Sequence, residues 1–192
     1  MRLAPGAWRY ATPLLAVGGL ALLVSASAGA ALFALAGGVL LFFRDPERTP
    51  PPEGVLAAAD GKVTEVRAEG EGVRVVTFLG PTNVHVVRAP DAGSVESLAH
   101  TPGAHRPAFT KDSERNERVE ATAGEWELAL VAGWFARRIT TYVEAGDDVE
   151  RGQRVGHIAF GSRVDIVLPD RDPGEIEVAE GDRVRAGETV IA

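Results

Sequence analysis

The chain has 192 residues, room for one modest domain and a separate apolar segment. Cysteine is absent, which excludes disulfides, thiolate catalysis and cysteine-type metal sites. The net charge of −7 argues against non-specific binding to nucleic acid, so no such partner is expected.

Tyr10 to Phe43 carries no charged residue. The run exceeds the roughly 20 residues of one upright membrane span, and Ser25-Ala26-Ser27-Ala28-Gly29 interrupts it with small residues. Two short helices, about 12–24 and 29–43, are therefore expected to form a transmembrane hairpin anchoring residues 1–45. A single tilted helix is the rival; a cleaved leader is disfavoured because the run overshoots a 7–15-residue apolar core. Arg2 and Arg9 before the run, with Arg44 and Arg48 after it, place both ends on the cytoplasmic side of the cell membrane. Arg44 to Pro52 then reads as a stiff linker whose arginines snorkel at the interface.

From Gly54 the pattern turns extended. Val55–Ala58, Gly61–Val66, Val73–Leu79, Val84–Val87, Arg118–Thr122, Glu125–Ala132 and Arg137–Val143 are short, β-rich runs parted by glycine, proline and acidic residues. Pro102 to Asn116 is polar and reads as a loop. Gly146-Asp147-Asp148-Val149-Glu150-Arg151-Gly152 repeats as Gly181-Asp182-Arg183-Val184-Arg185-Ala186-Gly187. The repeat is similar to the turns of biotinyl and lipoyl half-barrels, but no carrier lysine occupies either turn. It predicts a mainly β domain over 46–192, a flattened pseudo-symmetric barrel or sandwich.

Between Gly156 and Pro169 two apolar strands flank Gly161-Ser162. Taken alone, such a pair most simply turns a hairpin. It can also do chemistry: glycine tolerates strain and leaves its carbonyl open to the neighbouring hydroxyl. The company of the pair matters. Phe42-Phe43-Arg44-Asp45-Pro46-Glu47-Arg48, Ala59-Asp60-Gly61-Lys62-Val63, Asn83-Val84-His85-Val86-Val87-Arg88-Ala89-Pro90, Asn116-Glu117-Arg118 and Phe160-Gly161-Ser162-Arg163-Val164-Asp165 follow in order. The set closely resembles the short form of the phosphatidylserine decarboxylase family, including its archaetidylserine-acting members. Phe160-Gly161-Ser162-Arg163 departs from the Leu-Gly-Ser-Thr of the larger forms.

The resemblance implies a proenzyme cleaved between Gly161 and Ser162 into chains 1–161 and 162–192 that stay associated. It implies a pyruvoyl group made from Ser162, which forms a Schiff base with a serine phospholipid at the bilayer and drives its decarboxylation to the ethanolamine lipid. Catalysis is expected from Ser162, from His85 as base and from Asp60 as its orienting partner, by analogy with serine hydrolases. On the residues alone, His85 is a half-buried strand histidine and Asp60 a turn residue. His157 falls on the opposite face from Ser162, and His100 and His105 sit in the polar loop. No histidine spacing supports a metal. Arg88, Arg137, Arg138 and Arg163 are candidate phosphate ligands. Two other classes remain: a membrane-anchored β-barrel binding module, and a serine hydrolase, for which no Gly-x-Ser-x-Gly elbow is present.

Overall fold

The computed structural model describes residues 2–104, 115–133, 138–159 and 162–192. It divides into two compact units, one ending at Glu47 and one beginning at Arg48.

In the first unit the chain runs through β1 (Arg2–Leu3), α1 (Ala7–Leu22), α2 (Ala26–Phe42) and β2 (Arg44–Asp45). The hairpin is present. The Ser25 side chain caps α2 by accepting from the Ala28 amide at 3.4 Å. The helices meet at two glycines: a Cβ on Gly29 would lie 2.4 Å from the Leu22 side chain, and one on Gly18 would lie 3.2 Å from the Leu32 Cβ. Pairing of Arg2 with Asp45 and Leu3 with Arg44 ties the two ends together. The transmembrane expectation is not met. At about 1.5 Å per residue, helices of 16 and 17 residues fall short of a hydrocarbon core of about 30 Å. No helix among the described residues is long and apolar enough to cross a membrane. Trp8, Val17, Leu20, Leu23, Val24 and Leu35 are nonetheless exposed.

The second unit is built from β3 (Gly61–Glu69), β4 (Gly72–Leu79), β5 (Val86–Arg88), β6 (Gly93–Ser94), β7 (Ser97–Thr101), β8 (Arg118–Ala123), β9 (Trp126–Ala132), β10 (Arg138–Thr141), β11 (Asp148–Val149), β12 (Arg154–Ala159), β13 (Ser162–Leu168) and β14 (Arg183–Val184). Seven strands form one sheet in the order β14-β3-β4-β13-β9-β8-β7; a second sheet has the order β10-β12-β5, and β11 pairs β6. The large sheet ends at β14 and β7 without closing, so the fold is a sandwich and not a barrel. Its inner face follows the two-residue period: Val73, Val75 and Leu79 on β4, Val164, Ile166 and Leu168 on β13, and Trp126, Leu128, Leu130 and Ala132 on β9 are all buried. Val87, Val155 and Ile158 close the core from the smaller sheet.

Val55 to Ala58, expected as a strand, makes only the single bridge Leu56–Val190. Its amides alternate between partners: Leu56 donates to the Pro90 carbonyl, while Val55 and Ala57 donate to Ala192 and Thr189. The segment is pinned between two neighbours and forms no ladder with either.

The repeat is structural. Val63 donates to the Asp182 carbonyl and Val95 to that of Asp147, each at 2.8 Å. In return Gly181 donates to Val63 and Gly146 to Val95. Gly187 donates to Ala57 and Gly152 to Ala89, both at 2.9 Å. All four turn glycines have positive φ, from +72° at Gly187 to +105° at Gly181, a region closed to most side chains. Asp147 and Asp182 each accept a backbone amide at 2.8 Å, from Glu144 and Ala179.

Candidate active site

Ser162 opens β13, the central strand of the large sheet, paired to Leu79 on one side and Ala132 on the other. Alternation along β13 turns its side chain inward with Val164 and Ile166. The residue is 0% exposed, and its Oγ has no hydrogen-bond partner among the described residues. A buried hydroxyl left without a partner costs about 1–3 kcal/mol, so the fold spends stability to place this one here. A hairpin would pair the strands on either side of Gly161-Ser162 with each other. They do not pair: β12 lies between β10 and β5, and β13 between β4 and β9. Phe160 and Gly161, which join the two sheets, lie outside the described residues.

His85 reaches the same place by two routes. Leu79, the partner of Ser162, runs into a turn in which Asn83 and Gly80 hydrogen-bond each other, Asn83 N to Gly80 O at 3.0 Å and Gly80 N to the Asn83 side chain at 2.9 Å. His85 follows that turn, buried, with Nδ1 3.0 Å from the Asn83 carbonyl oxygen. A carbonyl only accepts, so Nδ1 carries the proton and Nε2 is the basic nitrogen. From the other side, Ile158 donates to the His85 carbonyl at 3.2 Å, so β12 passes His85 just before the chain enters Phe160.

Asp60 is buried too, following a segment tied to the chain beyond His85 by two bonds, Arg88 N to Ala58 O and Leu56 N to Pro90 O. Its carboxylate is engaged elsewhere. Oδ1 accepts the Ala186 amide at 2.9 Å, and the Arg48 guanidinium lies 2.9 Å from Oδ2. Arg48 also holds Glu188 at 2.7 Å. The structure thus sets His85 beyond the turn that follows Leu79, the strand partner of Ser162, while the Asp60 carboxylate is bonded to Arg48 and not to the imidazole.

Arg48 is the residue that sequence reading missed. Assigned to an interfacial linker, its side chain is only 9% exposed and serves as the counter-ion of a buried carboxylate. Asn116, buried, donates from Nδ2 to the Ala132 carbonyl at 2.7 Å and so braces the strand beside Ser162. His157 pairs across from Thr140 and Val86 and bonds the Tyr142 hydroxyl at 2.8 Å. Burial lowers its pKa to about 4, so it is neutral at pH 7. His100 lies in β7 and not in a loop, bonded to Glu117 at 2.9 Å; His105 lies outside the described residues.

The arginines sort clearly. Arg88 is buried and donates to the Gly152 carbonyl. Arg163 turns to the outer face of the sheet, where it and Arg74 each approach Asp165 Oδ2 at 3.0 Å. Burial pushes the Asp165 carboxyl up and the two guanidiniums oppose that rise. Arg138 is exposed, and Arg137 lies outside the described residues.

Ser162 thus lies buried in the central strand of an open antiparallel sheet, and His85 lies beyond the turn that follows its strand partner Leu79. The chain belongs to the phosphatidylserine decarboxylase family, whose profile it matches over residues 35–192. It is 53% identical, over 98% of its length and 97% of the relative's, to a Halobacterium salinarum protein provisionally named an archaetidylserine decarboxylase proenzyme. Phosphatidylserine decarboxylase proenzymes of Thermobifida fusca and Streptomyces coelicolor are 44% and 45% identical, over 98% and 100% of this chain and 91% and 92% of theirs.

Proposed function

We propose that the chain is a self-cleaving, pyruvoyl-dependent decarboxylase of a serine phospholipid, converting phosphatidylserine to phosphatidylethanolamine. The observation that carries this reading is the fully buried Ser162 hydroxyl, without a hydrogen-bond partner among the described residues, between strands that do not form a hairpin. Family membership and the names of the relatives support it.

His85 Nε2 takes the Ser162 hydroxyl proton, and Oγ adds to the Gly161 carbonyl carbon. The Gly161–Ser162 C–N bond breaks and its nitrogen gains a proton, leaving an ester. Loss of the Ser162 Cα proton then expels the Gly161 carboxylate, which ends chain 1–161. Water replaces the Ser162 nitrogen, which departs as ammonia. The product fits in one respect: a pyruvoyl ketone donates no hydrogen bond, so it removes the donor that the Ser162 hydroxyl leaves without a partner among the described residues. The pyruvoyl carbonyl supplies the electron sink that loss of CO₂ from an α-amino acid requires. Residue 162 stays fixed between Leu79 and Ala132, and His85 remains beside it to carry protons.

The exposed apolar side chains of α1 and α2 suit attachment at a membrane surface, with the flanking arginines favouring the cytoplasmic face. Archaetidylserine has the same phosphoserine head group on isoprenoid tails, and the same site would serve it. Intact mass tests the reading. A fragment 162–192 lighter than its sequence by one ammonia is expected; a single uncleaved chain with full activity would overturn it, and so would cleavage without CO₂ release from either lipid.

A further inference from the structure

A cleft of about 470 Å³ opens between the edge strands of the two sheets, bounded by Leu98, Val119, Ile139, the His100–Glu117 pair and Arg138. That volume is within the range of about 300–1,000 Å³ typical of small-molecule sites. Both of its walls are coupled to the cleavage junction. Arg138 pairs with Ala159, which leads through Phe160 and Gly161 to Ser162. On the other side the Glu117 carbonyl accepts the Ala132 amide at 2.9 Å, and Ala132 is the strand partner of Ser162.

The chemistry of the lining is divided. Leu98, Val119 and Ile139 give an apolar wall. Arg138 is exposed at the end nearer the junction, and no described residue forms an ion pair with it. Glu117 would repel an anion, but its carboxylate is turned to His100 Nε2 at 2.9 Å. With Arg88 and Arg163 committed to other partners, Arg138 is the described candidate able to receive a phosphate.

Resting on the decarboxylase reading above, we propose that this cleft is the phosphoglycerol subsite: Arg138 binds the lipid phosphodiester, and Leu98, Val119 and Ile139 take the glycerol and first methylenes. In a serine phospholipid the phosphorus is four bonds from the amine, about 5 Å at ordinary bond lengths. Arg138 is the strand partner of Ala159, three residues before Ser162, and lines the cleft on that side. Guanidinium geometry suits two phosphate oxygens at once.

The test compares dihexanoyl phosphatidylserine with O-hexylserine, which keeps the amine and carboxylate and lacks the phosphate. Rates are expressed per pyruvoyl-bearing fragment, in the full chain and in its Arg138→Ala and Arg138→Lys variants. Arg138→Ala is expected to raise KM for the phospholipid about tenfold relative to that for O-hexylserine, with a far smaller change in kcat. Lysine should recover part of the loss. An unchanged KM ratio in active enzyme, or equal losses on both substrates, would overturn the subsite alone. A parent chain without activity on the phospholipid would overturn the decarboxylase reading and the subsite with it.

Discussion

The Asn83 carbonyl oxygen and His85 Nδ1 are 3.0 Å apart, and that contact leaves Nε2 as the nitrogen able to accept a proton. Because the acceptor is a main-chain carbonyl, no substitution at Asn83 removes it directly. His85→Ala is expected to accumulate uncleaved chain, with cleavage slowed on the order of 10²–10⁴-fold. Gel separation of the 1–161 and 162–192 chains over time measures it. Cleavage at the parental rate would move the base elsewhere.

Asp60 and Arg48 should behave as a buried ion pair. Arg48→Ala leaves the Asp60 carboxylate with only the Ala186 amide and is expected to cost on the order of 3 kcal/mol in chemical denaturation. Asp60→Asn should slow cleavage less than His85→Ala, since the imidazole keeps its Asn83 contact. A double variant losing no more stability than Arg48→Ala alone would confirm that the two act through each other.

His157 predicts a pH dependence of stability. Its pKa is lowered by burial from 6.5 to about 4. The folded state therefore resists a proton that the unfolded chain accepts. This contribution is complete above pH 6.5 and is lost as pH falls toward 4, amounting to about 3 kcal/mol. His157→Gln should flatten the denaturation midpoint across that window, and an unchanged slope would remove His157 as its source.

The division between units falls at Glu47 and Arg48, which makes the start of a truncated chain matter. A protein beginning at Glu47 keeps Arg48 and is expected to cleave itself while losing most activity on lipid vesicles. One beginning at Thr49 should show the instability of Arg48→Ala as well. Folded but uncleaved protein from the first truncation would place the helices within the cleavage machinery.

Much of this fold is legible in the sequence because β periodicity and turn glycines are local signals. The strands β3, β4, β8, β9, β12 and β13 lie where the β-branched and apolar runs put them, and the Gly-Asp-x-Val-x-x-Gly repeat marks the equivalent turns. Closure of the sheet was not legible, since nothing local records whether β14 and β7 meet. The membrane crossing was misread because an uncharged run shows length along the chain and not where a helix ends. Ser162 and His85 were singled out through their motifs, which are short and continuous in the sequence. Arg48 was not, because the carboxylate it answers comes twelve residues later and the Ala186 amide from the far end of the chain.

The pseudo-symmetric halves acquire a different meaning if the bond before Ser162 is cut as proposed. The turn 146–152 stays in the same polypeptide as its receptor around Ala89 and Val95, while the turn 181–187 docks on Ala57 and Val63 of the other polypeptide. The matured protein would then hold two look-alike berths, one filled from within and one filled in trans. A separated 162–192 fragment returning to its partner meets a single vacant berth, because its decoy is already occupied by the partner's own turn. The halves also differ where chemistry is needed: the position equivalent to Asp60 is Ala92, so only the berth filled in trans carries the carboxylate, and the Ala186 amide that holds it arrives with the incoming chain.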